Sequence, residues 1–252
     1  MDSAERMDLI VARLRAEGEV SVAELAELTG HSEMTIRRDL DHLADKGVLR
    51  RVHGGAVSLL PRGQEPPYAI RERMAVDAKK RIGQAVGELI SDGQAVLLDR
   101  GTTVVEVARA LAERHVTVMP LSLQAAAVLS ESTTVRLLMP GGEVRSGELA
   151  MTGPLTEASL AAVRFDTAVL SCCGLSLADG VTAYDLADVA IKRAAMRSAQ
   201  QVVLAADSTK IGQVTMGHVG PVSDFDVLVT DTGASDDSVT EIRAAGVAVH
   251  RV

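Results

Sequence analysis

The chain has 252 residues, 47% of them hydrophobic, with two Phe, two Tyr and no Trp, so its core must be built from Ala, Val, Leu and Ile. Length alone leaves one or two domains open, and a net charge of −8 excludes a general polyanion-coating protein. Any contact with nucleic acid has to come from a local basic patch on an otherwise acidic molecule. The two cysteines, Cys172 and Cys173, are adjacent and offer no disulfide framework, which fits a reducing compartment. The charged N-terminus lacks a signal-like apolar region, and no apolar run reaches membrane-spanning length, so a cytoplasmic protein with no membrane partner is expected.

Glu5 to Ala16 fits an amphipathic helix ending before Gly18, with Met7, Leu9, Ile10 and Leu14 as its apolar residues. Ser21 caps a short helix from Val22 to Leu28, and Gly30 is placed to end it. A tight turn, Thr29 to Ser32, leads into the stretch from Ser32 to Leu43. There Ile36, Leu40 and Leu43 have the i, i+4, i+7 spacing of a buried stripe. At about 100° per residue, Arg38 points nearly opposite that stripe, with Met34 and Asp41 beside it. Thr35 and His42 flank one side of the outer face, and Arg37 sits on the other shoulder.

This helix stops near Lys46-Gly47. Val48 to Val57 then reads as β-forming residues paired about Gly54-Gly55, a small hairpin that would hold Arg50, Arg51 and His53 near phosphates. Arginines on one helix are often only a solvated face. Helix, tight turn, helix and basic hairpin in this order describe a winged helix-turn-helix over residues 1–58, and its partner is double-stranded DNA. Ser32, Met34, Thr35, Arg37, Arg38, Arg50, Arg51 and His53 are the candidate DNA-binding residues, with Arg38 and Thr35 reaching bases and Arg37, Arg50 and Arg51 mostly on phosphates.

Pro61, Gly63, Pro66 and Pro67 make residues 59–68 a linker. From 69 to 252 the composition changes. After a helix from Lys79 to Ile90, short Val/Leu runs at Ala95–Leu98, Val116–Met119, Val135–Met139, Ala168–Leu170, Val202–Ala205 and Val227–Thr230 alternate with helical stretches. Those helices are Val104–Glu113, Gln124–Leu129, Thr156–Ala162 and Leu186–Ala199, and the alternation predicts an α/β domain with a mostly parallel sheet.

Such sheets bind ligands at the carboxyl ends of their strands. Asp99-Arg100-Gly101-Thr102-Thr103 follows the first run and opens a helix, supplying a glycine, two hydroxyls and free N–H groups, the parts of a phosphate cradle. Ser122, Gly141-Gly142, Thr152-Gly153, Gly174 and Asp207-Ser208-Thr209-Lys210 stand at other strand ends. Asp188 and Lys192, at i and i+4, form a helical ion pair or point into the pocket. A small phosphorylated polyol suits this set: the phosphate takes the Gly-Thr-Thr loop and Lys210, while Asp99, Asp188 or Asp207 accepts hydroxyl hydrogens. Cys172 and Cys173 read as small core side chains, and the scattered histidines have no metal-ligand spacing, so neither metal nor cofactor is expected.

Ser21-Val22-Ala23-Glu24-Leu25-Ala26, Thr35-Ile36-Arg37-Arg38-Asp39-Leu40 and Arg51-Val52-His53-Gly54-Gly55-Ala56 resemble the N-terminal module of DeoR-type bacterial transcription regulators. Leu98 to Thr103, Pro140-Gly141-Gly142, Leu149 to Pro154 and Ala206 to Lys210 are similar to the effector domain of the same family, so the resemblance runs from about Ala4 to the C-terminus. It implies a Rossmann-like second domain related to sugar-phosphate isomerases and CoA transferases. It also implies a repressor of carbohydrate genes, released from its operator by a phosphorylated sugar or similar anion. Two positions depart from the family pattern. Pro120-Leu121 replaces a frequent Thr-Asn pair before Ser122, and Arg100 replaces a small residue, adding a cation beside the phosphate site. A symmetric homo-oligomer, dimer or tetramer, would present paired helices to operator half-sites. The rival reading is a sugar-phosphate isomerase with an accessory DNA module; it lacks an acid–base constellation beyond groups that ligand binding already explains. An activator would share every residue with a repressor.

Overall fold

The computed structural model describes residues 3–58 and 65–252. The chain divides into two compact units, Met1–Val76 and Asp77–Val252.

In the first unit, α1 (Ser3–Glu17), β1 (Glu19–Ser21), α2 (Val22–Thr29) and α3 (Glu33–Asp45) precede a hairpin of β2 (Leu49–Val52) and β3 (Gly55–Ser58). Ser21 caps α2 by accepting from the Glu24 amide, and Gly30 ends that helix in the left-handed conformation. Ser32 caps α3 in the same way through the Thr35 amide. The stripe expected on α3 is buried: Ile36, Leu40 and Leu43 pack with Ile10 and Leu14 of α1, Leu25 of α2, and Leu49 and Ala56 of the hairpin. β1 escaped the sequence reading because three residues carry almost no periodicity. It pairs with β3, giving the strand order β1-β3-β2. Gly55 permits that pairing, because a Cβ there would lie 2.1 Å from the Val20 carbonyl oxygen.

The expected linker reached residue 68. Residues 59–64, with Pro61 and Gly63, lie outside the described residues. Beyond them the chain belongs to the first unit as far as Val76. A short helix, α4 (Tyr68–Arg71), places Ile70 in the core of this unit. Arg71 donates to the Pro66 carbonyl at 2.9 Å and pairs with Glu65 at 3.2 Å. An apolar side chain and a satisfied arginine thus help to dock a segment that composition alone marks as open.

The second unit begins with α5 (Val76–Leu89), followed by β4 (Ala95–Leu98), α6 (Thr102–Leu111), β5 (Thr117–Pro120), α7 (Leu123–Ser130) and β6 (Arg136–Leu137). A hairpin of β7 (Glu143–Arg145) and β8 (Ala150–Thr152) leads to α8 (Pro154–Ala162) and β9 (Phe165–Leu170). Next come β10 (Gly174–Ser176), β11 (Gly180–Ala183), α9 (Leu186–Ser198), β12 (Ala199–Ala205), β13 (Gly217–Gly220), β14 (Val227–Thr230), α10 (Asp236–Ala244) and β15 (Ala248–Arg251). Seven strands form one parallel sheet in the order β15-β14-β12-β9-β4-β5-β6. Alternation along β4 sends Val96 and Leu98 to the face covered by α5, α6 and α7, and Leu97 to the face covered by α8, α9 and α10. This is the expected α/β fold. The two antiparallel additions, β7-β8 and β10-β11-β13, were not anticipated: their strands have only three or four residues, and those of the second begin with glycine.

Strand order reverses at β4. From there the chain runs outward through β5 and β6 on one side and through β9, β12, β14 and β15 on the other. The carboxyl ends of β4 and β9 therefore flank the switch point of the sheet, where the two connections diverge.

Candidate functional site: a recognition helix and a strand-end crevice

The outer face of α3 is solvent-exposed. Met34 is 60% exposed, Arg38 is exposed and makes no hydrogen bond or ion pair among the described residues, and Thr35 is half-buried beside the Ser32 cap. Arg37 bonds Glu33 at 3.0 Å in an exposed i, i+4 pair, a contact weak enough to exchange for a phosphate. Arg50 and His53 are exposed on the hairpin. Arg51, expected on a phosphate, also has partners within the unit. Its Nε donates to Asp41 at 2.8 Å and its Nη1 to the Gly55 carbonyl at 2.7 Å, so it ties the hairpin to α3. Its β2 position gives the side chain a carboxylate on the neighbouring helix, a partner invisible in sequence order. Asp39, inside the Thr-Ile-Arg-Arg-Asp-Leu run, is buried and accepts from Arg6 of α1 at 2.5 and 3.1 Å.

In the second unit, Asp99 and Arg100 leave the end of β4 and Ser171 leaves the end of β9. Asp99 is 1% exposed. Its Oδ2 accepts from the Ser171 amide at 2.9 Å and from Lys192 of α9, while its Oδ1 is buried with no hydrogen-bond partner. Ser171 Oγ donates to the Arg100 carbonyl at 2.7 Å. Gly101 caps α6 at φ +116° without a side-chain cap, leaving the first amides of the helix open. The hydroxyls of Thr102 and Thr103 make no hydrogen bond among the described residues, although each residue is only 7% exposed. Helix amides without a side-chain cap, two hydroxyls without hydrogen bonds and a carboxylate oxygen without a partner thus lie together at the carboxyl end of β4.

Arg100 is not the free cation expected from sequence. It is 3% exposed, bonds Asp188 through two nitrogens at 2.9 and 2.8 Å, and reaches Glu148 at 3.0 Å. Asp188 joins both alternatives left open above, being paired with Lys192 at 3.7 Å and buried at the strand ends. Burial disfavours the Asp188 anion, but Lys192 and Arg100 outweigh it and hold the carboxyl at about 2. Burial likewise works against the Lys192 cation, and Asp188 and Asp99 more than offset it, raising the ammonium above the ordinary lysine value. Lys192 and Glu148 are the members of this cluster that sequence reasoning left out. Lys192 entered only as a helical neighbour of Asp188, and Glu148 sits in a hairpin turn without a pattern.

Asp207 is buried. Burial opposes its charge, while Lys210 and a hydrogen bond from Thr209 more than compensate and lower its pKa. The Lys210 side chain makes no hydrogen bond or ion pair among the described residues. Ser208 is held by Asp231, through its amide at 2.6 Å and its hydroxyl at 3.0 Å. Ser122 is engaged as the cap of α7. Gly142 and Gly174 serve close packing: a Cβ at Gly142 would lie 2.0 Å from Thr156 Oγ1, and one at Gly174 would lie 2.3 Å from the Gln213 carbonyl oxygen. The Gly141 and Thr152 carbonyls both accept from Thr156, and Gly153 caps α8 at φ +92°. Ser208, Ser122, Gly141, Gly142, Thr152 and Gly174 thus have local structural reasons that strand-end position alone did not reveal. Burial pushes the Cys172 thiol up to about 12, so it stays a neutral core side chain. Among the described residues no group of three or more His, Cys, Asp or Glu is arranged to hold a metal ion.

A winged-helix unit with an open recognition face, joined to an α/β unit with a polar switch-point crevice, is the build of a ligand-responsive transcription regulator. The DeoR-like helix-turn-helix domain matches residues 6–62 and the DeoR C terminal sensor domain matches residues 74–232. The chain belongs to the DeoR family of transcriptional regulators. The putative aga operon transcriptional repressor of Escherichia coli O157:H7 is 32% identical, over 98% of this chain and 93% of that protein. The glycerol-3-phosphate regulon repressor of Escherichia coli K12 is 31% identical over 92% of both chains. An uncharacterized helix-turn-helix transcriptional regulator of Bacillus subtilis is 31% identical over 99% of this chain and 96% of that one. Among solved structures, ribose 5-phosphate isomerase A of Methanocaldococcus jannaschii aligns over 54% of each chain with a TM-score of 0.41 and 16% identity, too distant to carry an argument. No helix among the described residues is long and apolar enough to cross a membrane.

Proposed function

We propose that this protein represses carbohydrate-metabolism genes and leaves its operator when a phosphorylated sugar or related small anion binds the crevice beside β4 and β9. The observation that carries this reading is the Gly101–Thr103 cradle, whose helix amides and two threonine hydroxyls are open while Asp99 Oδ1 lies buried without a partner. Lys210, close enough to Asp207 to lower its pKa but without a direct ion pair, supplies the cation, the Thr102 and Thr103 hydroxyls join the phosphate oxygens, and Asp99 Oδ1 accepts from a ligand hydroxyl. Arg100 takes no part in holding the phosphate, because Asp188 and Glu148 already neutralise it. The names of relatives as an aga operon repressor and a glycerol-3-phosphate regulon repressor support repression, and the second names a phosphorylated polyol.

At the other end, Arg38 and Thr35 read base edges in the major groove, and Arg37, Arg50 and His53 contact the flanking backbone. A homo-oligomer, dimer or tetramer, brings two such helices to paired half-sites. Release requires the ligand to bind one conformation more tightly than another, and the free-energy difference appears as lost operator affinity. A thermal-shift screen of phosphorylated sugars tests the reading, since a ligand that binds the folded state raises its melting temperature. A hit that also displaces the protein from operator DNA supports it; steady turnover of the hit would overturn it in favour of catalysis.

A further inference from the structure

Residues 65–76, which link the DNA-binding fold to α5, are docked on that fold, and their far end is held in a conformation the chain would not choose by itself. Ala75 has φ +49°, in the left-handed region that an alanine enters at a cost. Its amide donates to Asp8 Oδ2 of α1 at 2.9 Å. One residue later α5 begins, and the second unit starts at Asp77. Two positions before Asp8 on the same helix, Arg6 holds Asp39 of α3 through two hydrogen bonds. Residues two apart on a helix point about 200° from one another, so α1 grips the recognition helix on one side and the departing chain on the other. The departing segment also meets α3 directly. Ile70 and Met74 face Met7 and Val11 of α1 and His42 and Leu43 in the last turn of α3, around a cavity of about 30 Å³.

We propose that Asp8 is a positioning residue for operator recognition. It latches the chain at Ala75 to α1, and α1 passes any displacement of that chain to α3 through the Arg6–Asp39 pair and the shared apolar contact. The inference rests on the reading of α3 as the DNA-binding helix and goes beyond it, assigning a route between sensor and operator that no site residue names. Strain at Ala75 makes the latch depend on that bond: with the Asp8 contact the left-handed turn persists, and without it the residue relaxes to ordinary backbone.

Coupling is reciprocal, so the test needs no effector. The full-length protein is used with an operator recovered by in-vitro selection from random DNA duplexes, and amide hydrogen exchange is read over residues 73–77 with and without that duplex. Operator binding is expected to slow exchange there at least about fivefold in the wild type and in Asp8→Asn, which keeps an acceptor oxygen. In Asp8→Ala the same amides should exchange quickly in both states, and operator affinity should fall about fivefold, the reciprocal of the protection lost. Unchanged exchange on operator binding in the wild type, or the wild-type response in Asp8→Ala, overturns the latch while leaving DNA binding intact. Failure to select any duplex overturns the DNA-binding reading together with the latch.

Discussion

Arg100 and Asp188 face each other through two parallel hydrogen bonds, Nε to Oδ1 at 2.9 Å and Nη2 to Oδ2 at 2.8 Å, with both side chains about 4% exposed. The pair joins the loop after β4, where the ligand cradle begins, to the first turn of α9. Arg100→Ala would leave Asp188 buried with Lys192 as its remaining cation, and losing one partner of a buried pair costs about 3–5 kcal/mol. We expect urea unfolding to show a loss near the lower figure, because Lys192 retains part of the compensation.

The same carboxylate sets an acid limit. Its folded pKa is about 2 against a reference of 3.8, so the stability it contributes is complete above the higher value and is lost as pH falls through the lower one. About 2 kcal/mol should disappear between roughly pH 4 and pH 2. Urea midpoints of the wild type and Asp188→Asn across that window should converge as pH falls; parallel curves would assign the acid sensitivity to other groups.

For the cradle, Thr102→Ala and Lys210→Ala are expected to abolish the response to effector while leaving operator affinity unchanged. Fluorescence anisotropy of a labelled operator, titrated with the best ligand from the thermal-shift screen, measures both quantities. A normal response in both variants would place the ligand elsewhere in the second unit.

On the DNA side, Arg38→Ala should weaken specific binding by about 1–3 kcal/mol and relax base preference. Arg50→Ala should instead weaken all sequences alike and reduce the salt dependence by about one counterion. Arg51→Ala tests the internal contacts of that arginine. Its guanidinium holds Asp41 and the Gly55 carbonyl, so the melting temperature of the free protein should fall, which loss of a simple phosphate contact would not cause.

Gly55→Ala should be among the more damaging single-methyl additions in the first unit. The new Cβ would sit 2.1 Å from a backbone oxygen of β1, so the strand pairing must open by more than an ångström. Circular dichroism melts should show a loss of roughly 2 kcal/mol or more.

Local patterns were enough to determine the recognition helix, its Ser32 cap, the paired hairpin, the β4 and β14 strands to the residue, and the Gly-Thr-Thr helix start. Each depends on residues within one turn or one strand of each other, where period and cap chemistry are written in chain order. The partners of the charged groups were not legible. Arg100 looked like a free cation because its neutralising carboxylates lie 48 and 88 residues away, and the Asp41 partner of Arg51 is on another element. The cap made by Ser122 and the close packing at Gly142 and Gly174 were likewise not legible, because neither leaves a mark on strand-end position. Only the folded chain, by bringing β4 beside β9 and α1 beside both α3 and Ala75, decides which polar groups neutralise one another and which remain open to a ligand. Charge pairing in a low-dielectric interior depends on distance in space, and sequence separation does not encode it.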